Sequence, residues 1–378
     1  MSNYSNQWWS VLNGKPYITV SAKGIANGLS EIPNDGADFG PDTPDTQTYG
    51  IQEAVNYASN TGTYKVHLQP STYTWLAVST TQQLTPTVQV PAGVTIEGSG
   101  IDKTIIKIND STLTYNVPFV LNSNTRITGM TFDMAWNQNS TYSPSSIIIN
   151  NPSSNIEIDH NKFIHQALPW FIQLYATFNS TSPPSGYIEN VFIHDNIINA
   201  NIPNGNNAYE SILVSNSKYV KIYNNYFYTD ATTSAMNSGF FAIYDYSRHT
   251  DIFDNLFETP SNAPAHSPMM YFSDTYDVHF FNNHGIFDPT NTNVSMLGVF
   301  NSSKYVYIEG NVFTGPLAQN VDGYANFVSF GLGPDAVANG SGGPDGNVSQ
   351  NSGWNDYVVI KNNYVTGAFK LFDFSFSG

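Results

Sequence analysis

Between residues 155 and 365 apolar and polar positions alternate with a period of two, and the alternation restarts about once every thirty residues. The phrase "YVKIYNNYF" at 219–227 returns as "YVYIEGNVF" at 305–313 and "YVVIKNNYV" at 357–365. Its general form is apolar-x-apolar-x-x-Asn-x-apolar. Copies lie at Ile156/Ile158/Asn161/Phe163, Val191/Ile193/Asn196/Ile198, Val220/Ile222/Asn225/Phe227, Ile252/Asn255/Phe257, Val278/Phe280/Asn283, Val306/Ile308/Asn311/Phe313 and Val358/Ile360/Asn363/Val365. Two degenerate copies precede them, with Met130 and Ser99 in the Asn slot. Successive slots are 28 to 35 residues apart except the last, which a Gly-rich insertion at 331–353 lengthens. A fixed period in this range is the mark of a solenoid.

Period-two spacing and the wealth of Val, Ile, Tyr and Phe predict strands, and helical i, i+3, i+4 spacing is missing from the repeats. A unit of about thirty residues holds three short strands and three turns, and such units stack in parallel about 4.8 Å apart. The expected fold is therefore all-β: a right-handed single-stranded parallel β-helix with an N-terminal capping α-helix. The repeated Asn reads as a structural corner residue that takes the left-handed or bridging backbone of a tight turn and bonds its amide to the same Asn one coil away. No catalytic role is expected of it.

One helix is predicted. "TYGIQEAVNYASN" places Ile51, Ala54, Val55 and Ala58 on one face, Thr48 can cap its start, and "NTG" at 60–62 ends it. The order "NDGADFGPDTPDTQTYGIQEAVNYA", "KVHLQPSTYTW", "VPAGVTIEGSG" resembles the N-terminal lead-in of pectate-lyase-like right-handed β-helices. In that superfamily an Asp/Gly/Thr-rich loop leads to a capping helix, then a strand with a Pro-x-x-Tyr turn, then a Gly-rich first coil. Bacteriophage tailspikes and many polysaccharide-active enzymes share this arrangement. The resemblance implies the fold over roughly residues 30 to 370 and says little of function. The expected division is 1–30, an N-terminal segment with Trp8 and Trp9 for partner contact; 31–90, loop, capping helix and first strands; and 91–378, the β-helix with its insertion.

Composition narrows the function. The 378 residues carry 13 basic and 29 acidic side chains, a formal net charge of −16, and only 11% charged residues. Phosphate neutralisation needs clustered Lys and Arg, so no nucleic acid and no anionic membrane surface is an expected partner. No apolar run approaches a membrane span, so no membrane insertion is expected. The first twenty residues lack the basic and apolar regions of a signal peptide, which leaves prior removal of a signal or another way out of the cell, such as a virus particle. The charge-poor, Tyr/Asn/Ser/Thr-rich composition is similar to that of surface proteins of thermoacidophilic archaea and their viruses. Eight sequons, at Asn3, Asn109, Asn139, Asn179, Asn293, Asn301, Asn339 and Asn347, are candidate glycosylation sites of a surface protein.

The family's chemistry does not transfer. Polygalacturonase-like members carry Asn-Thr-Asp, Asp-Asp and Gly-His-Gly, none of which occurs here; "DPT" at 288–290 lacks the His of alginate-epimerase-like members. The two arginines are Arg126, in a degenerate early coil, and Arg248, in a turn. What remains is the outward stripe of each repeat: Glu157, Phe192, Lys221, Asp251, His279, Tyr307 and Val359 in one column, and Asp159, His194, Tyr223, Phe253, Phe281, Glu309 and Lys361 in the next. Aromatic faces alternating with carboxylates suit sugars, so Tyr223, Asp251, Phe253, His279, Phe281, Tyr307 and Glu309 are the candidate glycan-binding residues. Asp251, His279 and Glu309 are the catalytic candidates, since carboxylates one or two coils apart bracket glycosidase separations.

No cofactor and no metal is expected. Asp35, Asp38, Asp42 and Asp45 offer calcium oxygens without EF-hand spacing, in a string that also resembles the family's structural loop. His160, His165 and His194 lie near Asp159 and Asp195, but outward residues run parallel or diverge. The leading reading is an extracellular or virion surface attachment protein binding glycans along a lateral face, with a homo-oligomer or other virion or surface subunits as protein partners. The alternatives are a polysaccharide lyase or glycoside hydrolase, and a structural shell or filament subunit.

Overall fold

The computed structural model describes residues 16–22, 37–75, 87–108, 118–134, 145–165, 170–175, 186–200, 210–229, 239–244, 246–259, 270–287, 296–300, 303–315, 326–331, 355–367 and 370–375. The alternating segments become strands, and every strand pairs in parallel with the equivalent strand of the next repeat. Among the described residues sheet I has 11 strands, from Ile18–Val20 to Asp356–Lys361; sheet II has 10, from Val88–Val90 to Lys370–Ser375; sheet III has 10, from Ser71–Trp75 to Tyr364–Thr366. Each turn of chain visits sheet I, then III, then II, so the product is a parallel β-helix with one strand per sheet per rung.

Register makes the core. Val66, Ile96, Ile127, Ile158, Ile193, Ile222, Ile252, Phe280 and Ile308 stand one above another along sheet I, all fully buried. Sheet III contributes a second inward column, Phe132, Phe163, Ile198, Phe227, Phe257, Gly285 and Phe313. Gly285 is required there, because a Cβ on it would lie 2.1 Å from the Phe313 ring.

The corner between sheets I and III answers why Asn recurs, with one correction. The left-handed backbone belongs to the residue before each Asn: His160, Asp195, Asn224, Asp254, Asn282, Gly310 and Asn362 all have φ between 52° and 67°. The Asn that follows turns inward and is buried in the core repeats. Asn225 Nδ2 donates to Asn255 Oδ1 at 3.0 Å, to Ile193 O at 2.9 Å and to Tyr223 O at 3.0 Å, while its own Oδ1 accepts from the Asn196 amides. The same pattern runs from Asn161 to Asn363. The amide was selected for its four-way bonding in a buried column, and the positive φ passed to its neighbour.

The N-terminal end is closed by helix α1 (Ile51–Thr61), which buries Ile51, Ala54, Val55, Tyr57 and Ala58. Gly50 takes the N-cap position with φ 79°, and backbone of Gly40 would lie 2.7 Å from a Cβ there. Thr48 still contributes, its Oγ1 accepting the Gln52 N–H at 3.0 Å, and Gly62 ends the helix in a left-handed conformation. The strand Ile18–Val20 pairs with Lys65–Leu68 and so joins the N-terminal segment to the first rung. Among the described residues no helix is long and apolar enough to cross a membrane.

Candidate functional site

The outward face of sheet I carries both expected columns in register. Glu157, Phe192, Lys221, Asp251, His279, Tyr307 and Val359 are successive Cα partners, as are Asp159, His194, Tyr223, Phe253, Phe281, Glu309 and Lys361. A third column, unforeseen from the sequence, lies beside them at the start of each strand. Asn124, Asn155 and Asn190 begin it, and Tyr219, His249, Asp277, Tyr305 and Tyr357 continue it, all with φ between 52° and 59°. Asn, Asp and His are the side chains most often found in that conformation; Tyr is not, at a cost of roughly 1–2 kcal/mol each. The sequence signs are the Tyr that heads all three quoted copies of the phrase and the change, one place before the first apolar position, from Asn in early repeats to Tyr, His or Asp in later ones.

The rings form stacks along the solenoid axis. His194 lies 4.6 Å from Tyr223, Tyr223 5.0 Å from Phe253, and Phe253 5.0 Å from Phe281, with planes within 12° of parallel. Tyr219 stacks on His249 at 4.9 Å, and Tyr305 on Tyr357 at 4.9 Å. This geometry limits what each ring offers. Tyr223 and Phe253 have a ring against both faces and present edges to solvent. Phe281 has a ring on one side only, with Glu309 as its next register partner. Tyr219 and Tyr357, 50% and 63% exposed, each have one stacked ring neighbour among the described residues, and the other side of Tyr219 faces Asn190 of the rung below. Flat stacking on a sugar is thus available at the ends of the columns, at Tyr219, Phe281 and Tyr357, and the inner rings supply a rigid backing.

The candidate acids and base are joined in a chain of charge. Asp251 lies 4.0 Å from Lys221 and 3.4 Å from His279 Nδ1; His279 Nε2 is 3.0 Å from Asp277, which also meets His249 Nδ1. Tyr307 sets its ring edge-on to His279 at 4.9 Å. Asp251 and His279 are therefore brought into contact. Glu309 is not in contact with them: it belongs to the neighbouring column, two rungs from Asp251, and pairs with Lys361 at 3.1 Å.

Lower on the same face three rungs converge on Arg126, an arrangement hidden from the sequence because its members are about 30 residues apart. Arg126 donates to both oxygens of Asp159, at 2.8 and 2.5 Å, and lies 3.5 Å from Glu157. Asp159 also meets Thr128 Oγ1 and His160 Nδ1, and is wholly buried. Burial pushes the Asp159 carboxyl up, but the hydrogen bonds from Arg126, His160 and Thr128 more than offset this and hold it below the ordinary carboxylate range. His194 lies between Glu157 at 3.1 Å and Asp195 at 2.7 Å. Glu157, Asp159 and His194 thus meet, with ligand atoms within 4.8 Å of one another, instead of running parallel. The Arg126 guanidinium already supplies the positive charge between the two carboxylates.

In the Asp-rich loop, Asp38 accepts from Thr19 N and Oγ1, both at 2.9 Å, which ties the loop to the first strand. His165 pairs with Asp133 at 2.7 Å, away from His160 and His194. Asp35, Trp8, Trp9, the insertion from 332, the "DPT" string and all eight sequon Asn residues lie outside the described residues.

The sequence matches no protein-family model and no curated protein. Similar solved structures exist. The Dettilon tailspike protein aligns with a TM-score of 0.51 at 11% identity, over 97% of this chain and 62% of that one. An endo-xylogalacturonan hydrolase from Aspergillus tubingensis aligns at 0.49 and 11%, over 95% and 93%. Gene product 12 of bacteriophage phi29 aligns at 0.48 and 12%, over 87% of this chain and 49% of that one. The chain spans about half the length of the phi29 protein. At these identities the likeness is one of fold alone, and that to the tailspike protein agrees with the parallel β-helix. The compositional likeness to archaeal surface proteins finds no support among them.

Proposed function

We propose that this chain is an attachment protein of an extracellular or virion surface, and that it binds glycans along the outward face of sheet I between the rungs of Tyr219 and Tyr357. The observation that carries the reading is the set of tyrosines held at positive φ, Tyr219, Tyr305 and Tyr357, beside two columns in which the rings of Tyr223, Phe253, His279, Phe281 and Tyr307 stand next to the carboxylates of Asp251 and Glu309. Backbone strain of this kind persists where the surroundings enforce it and concentrates at functional surfaces. Rings stacked on one side, carboxylates at their flanks and a stiff sheet behind them suit a polyhydroxylated ligand.

The test is binding of the full chain to a panel of purified polysaccharides and to a glycan array, with Tyr219→Ala, Phe281→Ala and Tyr357→Ala in parallel. Binding that weakens at least tenfold in these variants supports the reading. Turnover of a polysaccharide that disappears in Asp251→Asn replaces it with the lyase or hydrolase reading. Silence on every glycan together with ordered assembly replaces it with a structural subunit.

A further inference from the structure

The first two rungs hold a constellation that glycan binding does not use. Ser99 Oγ lies 3.0 Å from His67 Nε2, and His67 Nδ1 lies 3.3 Å from Glu97 Oε2. Glu97 is in turn anchored by Lys65 Nζ at 2.8 Å. Hydroxyl, imidazole and carboxylate therefore stand in the order nucleophile, base, orienting acid, and all three are partly open to solvent. The fold sets this up directly. His67 and Glu97 are register partners on the outward face of sheet I, and Ser99 sits in the slot that later repeats fill with Asn.

We propose that Ser99, His67 and Glu97 form a nucleophilic triad for acyl transfer, with a small carboxylic ester as substrate.

Ser99 has a structural alternative, since its Oγ also lies 2.9 Å from Leu68 O. That carbonyl has a second hydroxyl in reach, Thr104 Oγ1 at 3.1 Å, which also lies 3.3 Å from Gln69 O; with the Thr104 proton on Leu68 O, the nearer of the two, the Ser99 proton turns to His67 without leaving that carbonyl orphaned. With Ser99 donating to Nε2, the proton on Nδ1 faces Glu97, which is the tautomer that catalysis needs. Burial pushes the Glu97 carboxyl up, but Lys65 and His67 together more than offset this and bring it below its ordinary value, so it remains an ionised acceptor through the neutral range.

The chemistry balances without a co-reactant other than water. Ser99 Oγ bonds to the ester carbonyl carbon while its proton passes to His67 Nε2. The carbonyl–alkoxy bond then breaks, and the leaving alcohol takes the proton from His67. Water, deprotonated by His67, attacks the acyl-serine, releases the carboxylic acid and restores the Ser99 hydroxyl. If the lateral face binds glycans as proposed above, the natural ester is an O-acyl group on a sugar; the triad itself does not depend on that reading.

The experiment treats the full chain with a fluorophosphonate probe and locates the adduct by peptide mass spectrometry, alongside release of p-nitrophenol from p-nitrophenyl acetate. Labelling at Ser99, an esterase rate that falls about a thousandfold in Ser99→Ala, and partial rescue of His67→Ala by added imidazole are the expected results. Should Ser99→Ala fail to fold, labelling of the unmodified chain decides alone. A folded chain that takes no label at Ser99, or a rate unchanged in His67→Ala, overturns the proposal. Glycan binding is read separately, so either proposal can fail without the other.

Discussion

Asn255 donates its side-chain amide to Oδ1 of Asn283 at 3.0 Å, one rung away and 28 positions along the chain. The same amide reaches Ile222 O at 2.9 Å on the preceding rung and Phe253 O at 3.0 Å on its own. One buried side chain thus ties three rungs, and this is why the residue recurs.

Replacing Asn255 by Ala removes three donations and one acceptor from a dry column. Each buried group left unpaired costs about 1–3 kcal/mol, so the loss is expected to be about 3 kcal/mol or more after local relaxation. Asn255→Asp is expected to be nearly as damaging, because a carboxylate cannot donate to Ile222 O. Denaturant midpoints of the two variants against the parent chain check both statements.

Asp159 is expected to set part of the acid limit. Its carboxyl titrates below the ordinary value in the folded chain. A group depressed on folding contributes stability above its unfolded value, about 3.9, and that contribution is lost as pH falls through the folded value. Urea midpoints should therefore hold from neutrality to about pH 4 and decline below it, with a smaller decline in Asp159→Asn. Arg126→Met leaves the buried carboxylate without its guanidinium and is expected to cost about 3 kcal/mol at pH 7, the low end for a broken pair because Arg126 is itself partly exposed.

Gly285 is the gap in an inward column of rings. A Cβ there would meet Phe313 at 2.1 Å and Phe287 at 2.7 Å. Gly285→Ala is expected to displace the Phe313 ring and to lower stability by about 1–3 kcal/mol. Thermal unfolding followed by circular dichroism, against the parent chain, measures it.

Ring position should separate ligand contacts from scaffolding. Tyr357→Ala removes a ring stacked on one side and is expected to weaken polysaccharide binding at least tenfold with little change in melting temperature. Phe253→Ala removes a ring covered on both sides, and is expected to lower stability more than it lowers affinity. Affinity and thermal midpoints of both variants, measured together, show whether the division holds.

The architecture was legible because it is written as a repeat. Inward Ile222 and outward Lys221 differ by one position in a strand, so period two fixes their faces, and the recurring spacing fixes which residues share a column. The Asn slot, the two outward columns and helix α1 all follow from local pattern of this kind. Its limits show at the corner: the sequence marks Asn225 as special, yet the positive φ belongs to Asn224, since only the assembled column reveals that the amide is needed inside.

Everything that depends on contact between rungs had to wait for the folded chain. Tyr219 heads the repeated phrase and His249 holds the same place one repeat later, yet nothing in the spacing says that their rings stack 4.9 Å apart. Arg126 acquires its partners from residues 31 and 33 places away, and Ser99 acquires His67 from 32 places away. The sequence by itself determined the rung, because alternation and turn chemistry act over a few residues. Only the tertiary structure decided the sites, because side chains on different rungs meet through the axial register, and that register comes from the packing of the whole stack.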